Sequence, residues 1–336
     1  MPVATLPATV PHTAFMIPRR PLLAAIPALL ATPALAQTGS FAGFLSGIRA
    51  DASRAGISAL TLDRAFAGVQ PNAKVIEREH HQPEFTLTWA QYRDLLITDK
   101  RITAGRAAFQ RNQPLFQRVQ QQYGVSPSVI LGIWGLESSF GTQTGDFHVV
   151  EALATLAWTS GRSAFFRSEL IAALHILDHG DITPSRMTGS YAGAMGQPQF
   201  MPSSYLRYAV DFEGNGRRDI WSSTPDVLAS IANYLAASGW QAGGTWGQSV
   251  TLPAGFNDAD TGRDNRRPLA DWLRLGVRPI SGRLRAQPDQ RAAVLLPDGS
   301  GGDAFLAYGN FAAIRRYNPS DFYALAVGLI GDDILA

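Results

Sequence analysis

The chain has 336 residues, of which 46% are hydrophobic and 17% are charged, the balance of a globular protein with one large or two modest domains. It contains no cysteine, which excludes a disulfide framework, a cysteine metal site and a lipid-bearing cysteine. The formal net charge is only +2, so the composition lacks the excess of positive charge that is typical of proteins that bind nucleic acid or acidic lipid.

Residues 1–36 are predicted to be an export signal. Paired arginines at 19–20 precede a mostly apolar run at 21–30, and an A-x-A site lies at 34–36. The apolar run is too short for a stable bilayer anchor. Met16 could be the true start, and the arginine pair would permit a twin-arginine route. The remainder has 27 basic and 27 acidic residues, so we expect a periplasmic or cell-surface protein without a transmembrane anchor.

The residues that follow are predicted to be helical because apolar side chains recur at helical spacing. One helix begins after Ser40, and a second covers residues 60–66 with a start signal at Thr61. Residues 82–84 open a third, which places four large side chains on one face: Trp89, Tyr92, Leu95 and Leu96. Residues 102–123 continue in the same pattern.

The next helix carries a carboxylate on an apolar face. Ser126 is predicted to be its N-cap and Pro127 its first residue, and Gly141 to end it. Glu137 shares a face with Ile130, Ile133 and Trp134, and that face should turn inward. Desolvation there would raise the pKa of Glu137 and keep a proton available for general acid catalysis. A buried glutamate paired with an arginine is the alternative interpretation.

Two more helices are predicted at residues 151–159 and 163–179. The second carries His175 and His179 one turn apart, but Ile176 stands where a zinc protease has glutamate, and no third ligand stands out. We interpret the pair as helix-terminal histidines near the negative end of the dipole rather than as metal ligands, and we interpret His80 and His81 in the same way. Nucleophile elbow, phosphate loop and dinucleotide motifs do not occur, so the common esterases, kinases and dehydrogenases lack support.

Residues 190–205 interrupt an apolar run with glycines, glutamines and prolines. Glycine permits close backbone approach to a ligand, and Gln197 and Gln199 offer donors and acceptors beside Phe200 and Met201. This mixture suits a sugar, which needs paired polar contacts and apolar surfaces. An ordinary turn is the alternative.

Residues 211–222 are similar to the front half of a calcium loop. Oxygen donors at alternate positions precede a glycine at the sharp turn: Asp211, Glu213, Asn215 and Gly216. The pattern is incomplete because Ser222 occupies the twelfth position. Asp226 could close a cation site from the next helix, or Asp219 and Arg218 could simply pair.

A helix is predicted at residues 224–239, with Ile231, Tyr234 and Leu235 inward. Short apolar alternations at 249–252 and 292–296 indicate a small β-containing subdomain. Near the end, Asn318 and Pro319 are predicted to be the N-cap and first residue of a final helix that reaches about Leu335.

Taken together, five stretches resemble the motifs of the lytic murein transglycosylase B family, the enzymes that cut bacterial peptidoglycan, and they occur in that family's order. They are residues 137–141, residues 190–204, the Asp211 loop with Trp221, Asn233 with Tyr234, and residues 317–323. The resemblance covers essentially the whole chain after residue 36.

The resemblance implies a mainly α (α+β) fold with a lysozyme-like helical core. A helical domain and a small β-containing subdomain would flank that core. The expected division is residues 37–112 for the N-terminal helical region, 113–247 for the core, 248–309 for the β-containing subdomain and 310–336 for a C-terminal helical segment.

The resemblance also implies cleavage, without water, of the β-1,4 bond between N-acetylmuramic acid and N-acetylglucosamine in glycan strands, leaving 1,6-anhydromuramic acid ends. Glu137 would be the single catalytic acid, with Ser190 and Gln199 near the acid and the sugar. The positions implied to line the groove are Tyr92, Phe200, Met201, Tyr234, Tyr317 and Asn318, although capping could be the whole role of Asn318. The chemistry would need no cofactor, and a calcium or sodium ion held by Asp211, Glu213, Asn215 and Asp226 would be structural.

Residues 190–204 contain no second acid, as an enzyme whose nucleophile is an internal substrate hydroxyl would allow. A hydrolytic muramidase would instead need a further carboxylate, for which Asp146, Glu151 and Asp211 are the candidates. An inactive wall-binding scaffold is the remaining alternative.

Overall fold

The computed structural model describes residues 39–80 and 87–336, and this part of the chain is mainly helical. The α-helices are α1 Phe41–Arg54, α2 Ala59–Ala65, α3 Ala73–His80, α4 Trp89–Leu96, α5 Asp99–Tyr123, α6 Pro127–Ser138, α7 Val149–Thr159, α8 Ser163–Asp178, α9 Pro202–Tyr208, α10 Thr224–Ala237, α11 Leu269–Arg274, α12 Gly309–Tyr317 and α13 Asp321–Leu335. The strands are β1 Phe147–His148, β2 Thr188–Gly189, β3 Gly247–Thr251, β4 Arg267–Pro268, β5 Arg278–Pro279, β6 Arg291–Leu295 and β7 Ala304–Ala307.

Helix α6 lies at the centre of the main core. Residues 129–135 of this helix are all buried, so it is apolar on every side and is enclosed by neighbours. It packs most extensively against α13 and also contacts α5 and α10. Ser126 caps its start, with Pro127 in the first turn, as the sequence predicts.

A second helical layer is formed by the antiparallel neighbours α7 and α8, against which the N-terminal helices pack. The Ser58 hydroxyl, at the N-cap of α2, donates to Asp178 over 2.6 Å. The Asn72 backbone N–H, just before α3, donates to Thr155 Oγ1 over 3.0 Å. Side-chain hydrogen bonds therefore tie the N-terminal helices to this layer.

Strands β3 to β7 form an antiparallel sheet with the order β4-β6-β7-β3-β5. One face of the sheet has a small core of its own, which includes Val250, Leu269, Trp272 and Leu306. The predicted strands at 249–252 and 292–296 are thus present with shifted bounds. Helix α11, between them, was not predicted because its apolar positions are too few to establish a period.

Three residues predicted to begin, cap or end helices do not do so. Helix α6 ends at Ser138, with Ser139 as its C-cap, three residues before the predicted end at Gly141. Ser58, not Thr61, caps α2 because its hydroxyl accepts the Thr61 N–H. Ser320, not Asn318, caps α13, since Asn318 instead ends α12. In each case a nearby serine provides the capping interaction that the prediction assigned elsewhere.

One predicted helix face is also wrong in part, because Leu95 is 49% exposed while Trp89 and Leu96 are buried. The predicted export signal at 1–36, the helix start at 82–84 and His81 lie outside the described residues. Among the described helices, none combines the length and hydrophobicity that a membrane crossing requires.

Candidate active site

Glu137 lies in the last turn of α6, where its side chain is half-buried. The Tyr323 hydroxyl donates a hydrogen bond of 2.7 Å to Oε1 of Glu137. Tyr323 is in the first turn of α13 and is 5% exposed. The carboxylate therefore sits at the edge of the core with one oxygen held by a phenol from the neighbouring helix.

Glycines bring α6 and α13 close enough for this contact. A Cβ added to Gly132 would lie 2.1 Å from the Val327 carbonyl oxygen, and one added to Gly331 would lie 2.0 Å from that of Ser128. The two backbones thus touch at two points, with residue numbers rising on α6 as they fall on α13. The same antiparallel register brings Tyr323 beside Glu137, one further turn along both helices.

The turn after α6 has an unusual backbone. Ser139 and Phe140 both adopt left-handed conformations, with φ of 48° and 58°. Their N–H groups close the helix on the Gly135 and Trp134 carbonyl oxygens, at 3.1 and 3.2 Å. The Phe140 ring packs edge-on against Trp134, with centroids 5.6 Å apart. Left-handed non-glycine residues are strained and cluster at functional sites, which fits their place next to Glu137.

Gln197 joins the predicted sugar-binding segment to the Glu137 helix. Its Oε1 accepts the Trp134 indole N–H over 2.8 Å, and its Nε2 donates to the Trp221 carbonyl oxygen over 3.0 Å. Gln197 is 8% exposed, so these buried partners depend on it. The side-chain amide of Gln197 therefore links α6 to the loop that precedes α10.

The predicted polar contact residues of this segment, Gln199 and Ser190, take part in its own turns. Gln199 has a left-handed backbone, with φ of 53°, and its Nε2 donates to the carbonyl oxygens of Thr144 and Gly196. The half-buried Ser190 accepts the Ala194 N–H on its Oγ over 3.0 Å. Both predicted contact residues therefore lie in a turn that their own hydrogen bonds hold in shape.

An aromatic cluster, formed by Phe200, Tyr208, Tyr234 and Tyr317, lies beside this segment. Ring centroids are 4.4 Å apart for Tyr208 and Tyr234 and 4.6 Å apart for Tyr234 and Tyr317. The Tyr317 hydroxyl donates to the Pro198 carbonyl oxygen over 2.6 Å. Phe200 is only 2% exposed and its ring packs against those of Tyr234 and Tyr317. Tyr234, Tyr317 and Met201 are half-buried.

Tyr92 belongs to a separate aromatic group around α4. Its ring lies 6.3 Å from that of Trp89 and 5.7 Å from that of Phe322, the residue before Tyr323. Burial raises the pKa of Tyr92 to about 12, against an opposing effect of Arg101, so it is neutral at physiological pH. Asn318 accepts the Ser320 N–H on Oδ1 over 3.1 Å, an interaction that shapes the α12 to α13 turn.

The predicted cation ligands are engaged with the protein. Asp211 accepts the N–H groups of Asn215 and Gly216, and buried Asp226 accepts those of Phe212 and Asp219. Glu213 forms a 3.2 Å ion pair with Arg118. Among the described residues no group of three or more His, Asp or Glu side chains could hold a metal ion. As arranged, this donor set does not fit a site built from several carboxylates.

The pKa values of Asp211 and Asp226 are shifted in opposite directions. Against desolvation, which acts in the other direction, the N–H groups of Gly216 and Asn215 hold the pKa of Asp211 below its usual value. Burial raises the pKa of Asp226 despite its two N–H partners.

The structure joins most of the predicted site residues through a continuous chain of contacts. Gln197 touches α6 one turn before Glu137, Pro198 touches Tyr317, and the short α12 to α13 turn separates Tyr317 from Tyr323. Tyr208 and Tyr323 were not predicted. Tyr323 stands in the last of the five sequence motifs, but its partner could be found only from the register of two distant helices.

Comparison with known proteins agrees with this arrangement. The family model described as "Transglycosylase SLT domain" matches residues 40–332. The membrane-bound lytic murein transglycosylase B of Escherichia coli K12 is 35% identical over 256 residues, which cover 73% of this chain and 67% of the relative.

Solved structures are similar over most of the fold. SltB3 from Pseudomonas aeruginosa, in complex with NAG-anhNAM-pentapeptide, is 45% identical with a TM-score of 0.85, covering 88% of this chain and 80% of its own. The E. coli lytic transglycosylase Slt35 in complex with calcium is 30% identical with a TM-score of 0.72, covering 88% and 92%. The mainly helical, lysozyme-like fold predicted from the sequence is confirmed. By its sequence and its fold, the chain belongs to the lytic murein transglycosylases with an SLT domain.

Proposed function

We propose that the protein cleaves the β-1,4 bond between N-acetylmuramic acid and N-acetylglucosamine of peptidoglycan without water. The products would carry 1,6-anhydromuramic acid ends. The observation that carries this proposal is the Glu137 carboxylate, held by Tyr323 at the edge of the core beside the sugar-binding segment. The relative SltB3 was crystallised with an anhydromuramyl peptide, which supports the same product class here.

One carboxyl group serves both halves of the reaction. Protonated Glu137 gives its proton to the glycosidic oxygen as the bond from that oxygen to C1 of the muramic sugar breaks. The C6 hydroxyl oxygen then bonds to C1, and the Glu137 carboxylate takes the hydroxyl proton. Glu137 is thereby restored, and no water is consumed.

Tyr323 suits both states of this acid. Its hydroxyl donates to Oε1 of Glu137, so the carboxyl group stays oriented while a proton moves to or from it. When Glu137 becomes a carboxylate, the same hydrogen bond becomes charge-assisted and stronger. We therefore assign Tyr323 as the residue that positions and stabilises the catalytic acid.

Substrate contacts are proposed for the residues around the 190–205 turn. Tyr234, Tyr317 and Met201 would offer apolar surfaces to sugar faces, with Phe200 beneath them, and Ser190 and Gln199 would form polar contacts. Tyr92, in α4, would contact the glycan strand, and Asn318 would hold the turn that follows Tyr317.

Two of the candidates for a hydrolytic second carboxylate have other tasks. Glu151 accepts a hydrogen bond from the Asn72 side chain, and Asp211 closes its own loop. The remaining candidate, Asp146, is exposed. These placements favour the non-hydrolytic reaction over a muramidase that activates water.

Mass spectrometry of the products from purified peptidoglycan tests the reaction directly. Anhydro-muropeptides, which lack one water relative to reducing ends, are expected from the wild type and not from Glu137→Gln. Glu151→Gln is the matched control and should release the same products as the wild type. Reducing ends would instead establish hydrolysis, and binding without any product would favour the scaffold alternative.

The location is proposed to be the periplasm, with residues 1–36 acting as a cleaved export signal. Peptidoglycan glycan strands are the partner that follows from the proposed reaction. N-terminal sequencing of the protein recovered from a periplasmic fraction would test the cleavage near Ala36.

The reaction proposed above needs no cofactor. A calcium or sodium ion at the 211–226 loop stays a prediction, supported by the calcium complex of Slt35 and opposed by the engaged carboxylates. Calcium should raise the unfolding temperature of the wild type, but not of Asp211→Asn, if the loop binds it. If calcium left the thermal unfolding curves of both proteins unchanged, the predicted cation site would be contradicted.

A further inference from the structure

A polar cavity of about 170 Å³ lies where the sheet meets the start of α12. Its lining includes Arg266, Gln290 and Arg291 from the β4 and β6 side, Gln241 and Thr245 from the segment after α10, and Gly309. It is separate from the contacts that surround Glu137. None of its described lining residues is acidic.

The two arginines of this cavity lack a carboxylate partner within the described part of the chain. Neighbouring Arg267 pairs with Asp260, but neither Arg266 nor Arg291 forms such an ion pair. The Nε of Arg266 is buried and has no hydrogen-bond partner among residues 39–80 and 87–336. No carboxylate of the described residues therefore neutralises either guanidinium, so an anion in the cavity would be favoured.

Backbone contacts hold the two guanidinium groups in place. Arg266 Nη2 donates to the Arg291 carbonyl oxygen over 2.9 Å, and Arg291 Nη2 donates to the carbonyl oxygen of Arg266. Because each side chain is fixed by the other residue's backbone, both positive charges are present before a ligand arrives. Such preorganisation reduces the entropy lost on binding.

The start of α12 adds to the positive potential. Its N-cap, Tyr308, gives no side-chain hydrogen bond to the first turn, because the hydroxyl donates to Gln248 instead. The first helical residue is Gly309, where an added Cβ would lie 4.0 Å from Arg266 Nη2. The helix terminus and Arg266 thus face the same space, and both favour a negative group.

We propose that this cavity binds the C-terminal carboxylate of a peptide attached to the glycan substrate. The planar fork of a guanidinium matches a carboxylate, and a pentapeptide ends in one. Helix α12 has nine residues, so the cavity lies about 12 Å from Tyr317 in the aromatic cluster. This source of the carboxylate rests on the proposed function, whereas binding of a carboxylate does not.

Calorimetric titration with two acetylated dialanine peptides tests the proposal without any turnover. One peptide carries a free C-terminal carboxylate and the other a C-terminal amide. The wild type should bind the carboxylate form at least about tenfold more tightly, as expected for a charge-assisted hydrogen bond. Arg266→Gln should remove that preference, while Arg266→Lys should keep part of it. Arg64→Gln, which removes an exposed charge on α2, is the matched control and should keep all of it.

Equal binding of the two peptides to the wild type would overturn the proposal. Inorganic phosphate that competes as well as the carboxylate peptide would overturn the peptide source, because it would indicate a general anion site. Loss of preference in the Arg64→Gln control would also contradict it. A protein that releases no anhydro-muropeptides yet shows the expected preference would contradict the proposed reaction and support the cavity.

Discussion

The Tyr323 hydroxyl and the Glu137 carboxylate meet across the contact between α13 and α6, 186 residues apart in the chain and 2.7 Å apart in space. This pair connects the final helix to the proposed chemistry. Its presence makes the position of the proposed catalytic acid depend on how two helices pack as well as on its own helix.

Replacing Tyr323 by phenylalanine should lower kcat by about 10-fold to 100-fold, since a hydrogen bond to a charged group contributes about 1.5–3 kcal/mol. The products should remain anhydro-muropeptides. Turnover of purified peptidoglycan measures the effect. Tyr123→Phe, which changes a tyrosine at the end of α5, should leave turnover unchanged. Equal rates for Tyr323→Phe and the wild type would remove Tyr323 from the mechanism.

Gly132→Ala should destabilise the fold by about 1–3 kcal/mol or more, because the new methyl group would collide with the Val327 carbonyl oxygen. Urea unfolding measures this free energy. Gly47→Ala is the control, because it lies inside α1 with open space around it and should stabilise by up to about 1 kcal/mol. If both variants gained stability, the close approach of α6 and α13 would be wrong.

Ser139→Gly should stabilise the protein by about 0.5–1 kcal/mol, because glycine adopts the left-handed conformation of this C-cap without strain. Ser139→Ala retains a Cβ and should give no gain. Thermal unfolding of the three proteins measures the difference. A loss of stability with glycine would mean that the serine side chain, and not the backbone, determines this turn.

Asp332 should make stability depend on pH. It accepts the Trp246 indole N–H and pairs with Arg285, yet burial outweighs these contacts and raises its pKa above the usual 3.8. The folded protein then holds this proton more tightly than the unfolded chain. The stability contributed by protonation is fully present below about pH 3.8 and is lost as the pH rises through the raised pKa.

The unfolding free energy of the wild type relative to Asp332→Asn should therefore fall as the pH rises from about 3.8 through the raised pKa of Asp332. Both proteins are best compared in an Asp333→Asn background, because burial and the charge of Asp332 raise the pKa of Asp333 as well. A difference that rises with pH would show that the Arg285 ion pair outweighs burial.

Local sequence patterns predicted what depends on neighbouring residues. Ser126 with Pro127 placed the start of the Glu137 helix, because capping acts within one turn. The prediction that one face of that helix turns inward was less useful, because residues 129–135 are buried on every side of α6. The elevated pKa expected for Glu137 stays a prediction.

What the patterns could not give is the pairing of distant elements. Tyr323 reaches Glu137 only because Gly132 and Gly331 let two helices touch, and neither helix encodes the register of the other. The roles of Gln197 and the Arg266 and Arg291 pair likewise depend on long-range contacts. The starts of α2 and α13 were assigned to Thr61 and Asn318 because each can cap a helix and lies within three residues of the serine that does so.

The order of synthesis gives the contact between α6 and α13 a further meaning. Helix α13 occupies residues 321–335, so the ribosome makes Glu137 long before the tyrosine that holds it. A nascent or truncated chain that lacks residues 321–335 also lacks the helix against which α6 packs most extensively. An enzyme that cuts the cell wall would thus have an acid that is fully positioned only after the whole fold has been completed.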